Sequence, residues 1–403
     1  MSAASIARVE AFALRLPRDT ANTTGTAGSP VSLAPPSASR YRWASTYPTV
    51  YSDHLETMLV RVQTADGVVG WGEAQAPVAP EIPRTIIDVL LGPLAMGEDA
   101  LAPERLWSRL YSAMRVRGHS GGFLLDAIAA IDIAVWDICG KIARQPVARL
   151  LGGPCHDPVP CYVSGLHGAS VDARVTEAVR LHALGARAFK LFLSDTEADC
   201  LDTVRAVRAA LGGEVGLAVD ALWRLDEARA VRFAHALAAN NNVLWLEAPL
   251  APEDVRGHAR LARRCPLRIA LGECYRTRFE ILPFFECGAV GVLQPDLGRS
   301  GITEARKLAV LADTHHVPVA PHVSIGLGPQ IAAATHLAAA IPNLLLLECN
   351  PSVFEQSARL ARGALEWSVA SVRVPQEPGL GIQIDEEAVR DAAIGTAVAV
   401  VAR

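Results

Sequence analysis

The chain has 403 residues, of which 51% are hydrophobic and 20% charged, with a formal net charge of −4. This is the composition of an ordinary soluble globular protein; it suggests no nucleic-acid binder, which would carry a basic stripe, and no apolar run reaches the roughly 18–20 residues that cross a bilayer. At about 100–200 residues per domain, the length allows several domains or one barrel with an extra domain.

The first residues, MSAASIARVEAFALRL, lack the charged head, apolar core and small-residue cleavage site of a secretory signal, so a cytoplasmic protein is expected. Strands are expected over 1–15 and 56–74. Within the second, ETMLVRVQTADGVVGWGEA alternates apolar positions around Asp66-Gly67, a strong hairpin signal. The stretch between them, 18–48, is rich in Thr, Ser, Pro, Ala and Gly and too long for a plain connector; a lid over a site is expected. Residues 84–150 carry helical periodicity, and LLDAIAAIDIAVWDICGKIARQPVARLLGG is apolar over most of its surface, as a deeply buried helix would be. Residues 1–150 therefore read as an α+β domain.

From about residue 159 short β-rich runs alternate with helical stretches: VPCYVSG, AFKLFL, VGLAVD, VLWLE, RIALGE, GVLQPD, VPVAPH and LLLLE. Such alternation argues for a parallel sheet with crossover helices. Eight units over about 190 residues suit a closed barrel better than an open sheet. No G-x-G-x-x-G opens a helix after a strand, which weakens a dinucleotide-binding alternative. None of the eight cysteines forms a C-x-x-C pair, so scattered thiols in a reducing compartment are expected.

The ends of these runs carry chemistry. Asp220, Glu247 and Glu273 close three consecutive runs; Asp296, His322 and Glu348 follow at the next three, in steps of 27, 26, 23, 26 and 26 residues. In a barrel, these positions share the C-terminal mouth, where active sites of this fold lie. One acid there could be a helix N-cap. Five acids and a histidine at successive ends need another explanation, and acids crowded at a barrel mouth need a cation. Three hard oxygen ligands with open positions suit Mg²⁺, with Mn²⁺ second; zinc would want Cys or His among them. Asp296 beside His322 would fix the ring tautomer and raise its basicity, making His322 a general base. Lys190, in AFKLFLSD, shares a strand face with Phe192. Taken alone, it reads as a lysine whose stem packs on apolar surface and whose amine reaches solvent.

The motifs VDALW, WLEAP, LGE, QPDLGRSGITE, APHVS and LLLLECNP, with GVVGWGEA, AIDIAVWDICGK, LLGG and PGLGIQID, resemble the enolase superfamily in its mandelate racemase/muconate lactonizing enzyme-like branch. The resemblance covers nearly the whole chain. It implies an α/β fold: a (β/α)₇β TIM-like barrel over 151–350, and an N-terminal α+β capping domain over 1–150 completed by a C-terminal segment, 351–403, that returns to the cap. As is general in that superfamily, it implies a Lys or His base acting with Mg²⁺ on a carboxylate substrate through an enediolate. It makes His322, Asp296, Lys190 and Glu348 catalytic, with Glu348 protonated so that it can donate to a substrate oxygen. Substrate contacts are expected from Lys190, Arg224, Glu348 and His54.

Two departures from the family pattern matter. Relatives usually carry Lys-x-Lys, where KLF here keeps Lys190 and puts Phe192 in place of a second base; this argues against a two-base racemase. Relatives often carry Asn two residues after the first metal acid, where Leu222 stands here. The expected function is dehydration of an aldonic or aldaric acid to a 2-keto-3-deoxy acid by a lyase. The alternatives are a cycloisomerase acting on a sugar-acid lactone, a single-base epimerase, or a non-catalytic metal-dependent sugar-acid binder, which the intact Asp296–His322 pair opposes. The expected partner is a small sugar acid, with neither nucleic acid nor membrane involved. A homo-oligomer between dimer and octamer is expected.

Overall fold

The computed structural model describes residues 3–17, 40–44, 49–166, 168–362 and 365–401. Apart from 40–44, the expected lid over 18–48 lies outside the described residues.

The cap is built on a four-stranded antiparallel sheet in the order Ala399–Val401, Ile6–Pro17, His54–Thr64, Val69–Ala74. Its outermost member thus comes from the C-terminal segment. The turn at Gly67, with φ of 91°, joins the last two strands as the hairpin signal predicts. The helix Phe123–Ala143 crosses this sheet with no space between backbones: a Cβ at Gly70 or Gly72 would lie 2.1 Å from the Ala134 carbonyl or 1.9 Å from that of Ala130. That explains the glycines of GVVGWGEA. The helix is shorter than its apolar run. Arg144 adopts a left-handed conformation, φ 54°, and Pro146, without an N–H, prevents continuation, so Val147–Leu150 forms a separate turn.

The parallel strands run from Val159–Ser164 through Ala188–Phe192, Gly216–Asp220, Val243–Glu247 and Ile269–Leu271 to Val292–Leu293, while Leu347–Cys349 pairs back onto the first. Residues 317–322 fill the remaining gap through bridges Leu293–Val319, Asp296–His322 and Val319–Leu344. The run VPVAPH is reduced to bridges because Pro318 and Pro321 have no N–H for a ladder. Their carbonyls still accept from Leu293 (2.9 Å) and Glu348 (3.3 Å), and the ring closes. Helices 171–183, 197–211, 227–238, 255–262, 278–286, 297–314 and 329–340 follow the first seven positions, giving (β/α)₇β.

The helix Phe123–Ala143 also seats the cap on the barrel. Asp132 accepts from the Thr303 amide (2.9 Å), Trp136 donates to the Thr303 hydroxyl (2.9 Å), and Asp126 pairs with Arg276 (2.9 Å). All eight cysteines are unpaired, and no helix among the described residues is long and apolar enough to cross a membrane.

Candidate active site

The barrel interior is filled by one layer of side chains, Tyr162, Ala188, Ala218, Trp245, Ala270, Val292 and Ala320, packed with Leu346. Successive inward positions on a strand are two residues apart. One step toward the C-terminal ends the inward residues become Ser164, Lys190, Asp220, Glu247, Gln294, His322 and Glu348. The site is the next layer of the same barrel, resting on an apolar floor. At the fifth strand Gly272, with φ of 153°, breaks the alternation and hands the position to Glu273. A Cβ there would meet the Gln294 backbone at 2.5 Å, so only glycine fits.

Asp220, Glu247 and Glu273 each offer an oxygen within 4.8 Å of the others'. Burial, and then Glu247 beside it, push the Asp220 carboxyl well above the usual carboxylate range. Hard oxygen donors from three strands, two of them buried and mutually repelling, suit a hard divalent cation.

Lys190 lies inside this cluster and does not reach solvent. Its side chain is 1% exposed, with Nζ 2.7 Å from Glu247, 3.1 Å from Glu348 and 3.8 Å from Asp220. The rings of Tyr162 and Phe192 flank it at 5.7 and 5.5 Å to their centroids. Burial disfavours its charge, but Glu247 and Glu348 outweigh burial and hold it protonated.

His322 Nδ1 is 2.7 Å from Asp296 Oδ2, and Nε2 faces Glu273 Oε2 at 3.1 Å and Glu348 Oε2 at 3.8 Å. Asp296 is itself held on Oδ1 by the Gly298 amide (2.8 Å) and Gln330 Nε2 (2.9 Å). It is an N-cap and a histidine partner at once. Burial lowers the imidazole pKa, but Glu348, the Asp296 hydrogen bond and Glu273 together push it up to about 9. A cation shared by the three acids would cancel the Glu273 contribution and return the ring toward the neutral form that a base requires.

Glu348 departs from the expected protonated donor. Its Oε2 accepts from the Val323 (2.7 Å) and Ser324 (3.1 Å) amides while Lys190 faces Oε1. Burial would favour the acid, yet Lys190 and His322 hold it well below the usual carboxylate range, so it stands as an anion. Among the described residues Arg224 makes no hydrogen bond or ion pair with the cluster. Its guanidinium donates to the carbonyls of Leu193, Ser194 (3.1 Å) and Asp195 (3.0 Å), tying down the loop after the second strand, and a substrate contact would compete with these bonds. His54 opens a cap strand opposite Pro17, and among the described residues no hydrogen bond or ion pair joins it to the cluster and its buried Nδ1 has no partner.

Several neighbours were not singled out in the sequence. Trp223 Nε1 donates to Glu273 Oε1 (3.0 Å); Trp245 Nε1 and Gln294 Nε2 donate to Glu247 Oε2 (2.9 and 2.8 Å). Phe192 and Leu222, the two departures from the family pattern, lie together in one small apolar cluster with Ala44 and Tyr51.

Residues 173–388 match the family described as enolase C-terminal domain-like, and residues 43–152 match the mandelate racemase / muconate lactonizing enzyme N-terminal domain. The chain is similar to the D-galactarolactone cycloisomerase of Agrobacterium fabrum, at 33% identity over 84% of this chain and 92% of the relative. It is also similar to the D-galactonate dehydratase of Ralstonia nicotianae, at 35% identity over 84% and 91%. Among solved structures, a member of the enolase superfamily from Agrobacterium tumefaciens superposes with a TM-score of 0.89 at 32% identity, covering 96% of this chain and 98% of that one.

Proposed function

The chain belongs to the mandelate racemase / muconate lactonizing enzyme group of the enolase superfamily, and on that premise we propose that it removes the α-proton of a sugar acid with His322 as its single base. The observation that carries this reading is a pair: the Asp296–His322 dyad, with Nε2 turned to the metal-ligand cluster, and an aromatic ring at Phe192 where a second base would stand. Asp220, Glu247 and Glu273 would hold Mg²⁺, or Mn²⁺ as second choice. Bound there, the ion would supply Lewis-acid polarisation of the substrate carboxylate.

The protein's own groups do the rest. Asp296 keeps Nδ1 protonated, leaving Nε2 to take the proton. Lys190 contributes a buried positive charge where negative charge develops on the substrate, and Glu348 orients Lys190 and His322. The imidazolium then returns its proton to a β-hydroxyl leaving on the same face, and the product is a 2-keto-3-deoxy acid. One proton carrier suffices for this; racemisation needs two.

A cycloisomerase is the second reading, favoured by the similarity to a D-galactarolactone cycloisomerase and by the same one-base geometry. Incubating the protein and Mg²⁺ with a panel of aldonic and aldaric acids and their lactones separates the two. A semicarbazide-reactive keto acid is the expected result. Keto acid formed from a lactone, as its isomer, but from none of the free acids would favour the cycloisomerase. Neither product, and no α-proton exchange in D₂O with any member, would overturn the reading.

A further inference from the structure

Three non-glycine residues at the ends of the first two ligand strands adopt left-handed backbone: Leu222 (φ 55°), Trp223 (φ 58°) and Ala248 (φ 45°). Large side chains seldom enter this region, and strain of this kind persists only where the surroundings enforce it. Here the enforcing bonds are evident. The Leu222 amide donates to Asp220 Oδ1 (2.9 Å), the Trp223 amide to the Ala248 carbonyl (2.6 Å), and the Leu225 amide to the Pro249 carbonyl (3.0 Å). The turn so formed carries the Trp223 side chain across the mouth from the first ligand strand to the third. Its indole N–H ends 3.0 Å from Glu273 Oε1, while Glu273 Oε2 faces His322.

Glu273 is the least buried of the three acids and is held by fewer groups than Glu247. Glu247 is fixed by Lys190, Trp245 and Gln294, and Asp220 by the Leu222 amide. Among the described residues Glu273 has only Trp223 and His322, and its side chain is 21% exposed. Without the indole, its carboxylate could turn about its terminal torsion, where the energy wells are broad.

We propose that Trp223 is a positioning residue of the metal site, holding the Glu273 carboxylate in its coordinating orientation through the indole N–H. This rests on the reading of Asp220, Glu247 and Glu273 as the Mg²⁺ ligands. Partners of this kind typically contribute about 10–100-fold to metal affinity. Trp245 makes the same bond to Glu247, but it is fully buried and packs edge-on against Tyr162 in the barrel floor, so its loss would disturb the core. Trp223 is only half-buried, which makes it the testable member.

The test is Mg²⁺ binding by calorimetry, with no substrate present. Trp223→Phe keeps a ring and removes the N–H; Mg²⁺ affinity is expected to fall by about 10–100-fold. Trp223→His, which restores a ring N–H, is expected to recover part of that loss. Asp220→Asn serves as the ligand control. If Asp220→Asn weakens binding and Trp223→Phe changes it less than about threefold, the positioning role is overturned and the ligand assignment survives. If Asp220→Asn leaves binding unchanged, the ligand assignment fails and takes this proposal with it. A measurement on the unaltered chain guards against a variant that does not fold. With ¹⁵N-labelled tryptophan, Mg²⁺ should shift the indole resonances of Trp223 and Trp245 saturably; a Trp223 indole that does not shift would overturn the proposal.

Discussion

Replacing Lys190 with Met keeps an unbranched apolar stem and removes one buried ammonium. Glu247 and Glu348, at 2.7 and 3.1 Å, then lose their direct countercharge, and Asp220 loses one at 3.8 Å. Removing one member of a buried ion pair typically costs about 3–5 kcal/mol, because the remaining charge stays buried and unpaired. Three pairs are broken here, two of them close, but the costs do not add. Glu348 keeps two backbone amides and Glu247 keeps Trp245 and Gln294. The expected loss at neutral pH, with chelator present, is therefore about 3–5 kcal/mol. Mg²⁺ should narrow the gap: a ligand at a hundred times its dissociation constant stabilises by about 2.7 kcal/mol, and the variant offers the ion more uncompensated charge than the parent does. Urea unfolding of both proteins, followed by tryptophan fluorescence with EDTA and with saturating Mg²⁺, measures each quantity. A loss under about 1 kcal/mol in EDTA, or a gap that widens with Mg²⁺, would refute the argument, since Lys190 would then not be the countercharge of a buried anionic cluster.

Other expectations are simpler. His322→Asn should abolish α-proton exchange of an identified substrate together with turnover, a loss of at least about 10²–10⁴-fold, whereas Lys190→Met, which keeps the base, should retain slow exchange; the reverse pattern in D₂O by NMR would make Lys190 the base. Phe192→Lys puts an amine on the face opposite His322 and should introduce slow exchange with inversion, so an exchange rate and stereochemistry identical to the parent's would count against the two-face geometry. Burial, against the Thr303 hydrogen bonds, raises the Asp132 pKa to about 7 from 3.8. Between about pH 4 and 7 the folded chain then holds a proton that the unfolded chain has released, so stability falls as pH rises through that window by up to about 1.4 kcal/mol per unit, and levels off above it. Asp132→Asn removes this slope and should gain on the parent between pH 5 and pH 8; a difference in unfolding free energy that is the same at both would show that Asp132 does not titrate there.

The metal-ligand candidates and the dyad were legible because each ends a short apolar run, and a βα repeat of about 26 residues carries strand ends to one mouth. Gln294 and Trp245 were not, because in a run of apolar residues they pass for strand and core. Only the ring of inward residues one step below, Ala188, Ala218, Trp245 and Ala320, puts the next inward position in line with the candidate site. Trp223 was further out of reach. Its contact depends on two left-handed residues that no glycine or asparagine announces. Arg224 was hard to place for a related reason: sequence gives a charge its position but not its partners, and here three carbonyls accept from it. The break at Arg144 was readable from Pro146, but the apolar run on either side masked it.

Phe192 and Leu222 do more than omit two polar groups. Ala44 and Tyr51, from the hairpin Tyr41–Trp43 and Val50–Ser52, rest against them, so the positions that set the chemistry of one barrel wall also seat a segment of the cap more than a hundred residues earlier in the chain. Two traits usually free to vary separately are tied together there. A substitution that restores an amine or amide at either position also wets the seat of the hairpin, and one that alters the hairpin also changes the wall facing the substrate. Mutational histories through this corner are therefore constrained: a change in the number of proton carriers is expected to loosen the hairpin's packing unless Ala44 or Tyr51 changes with it, and pairs of substitutions here should be strongly non-additive where single ones elsewhere on the mouth would add.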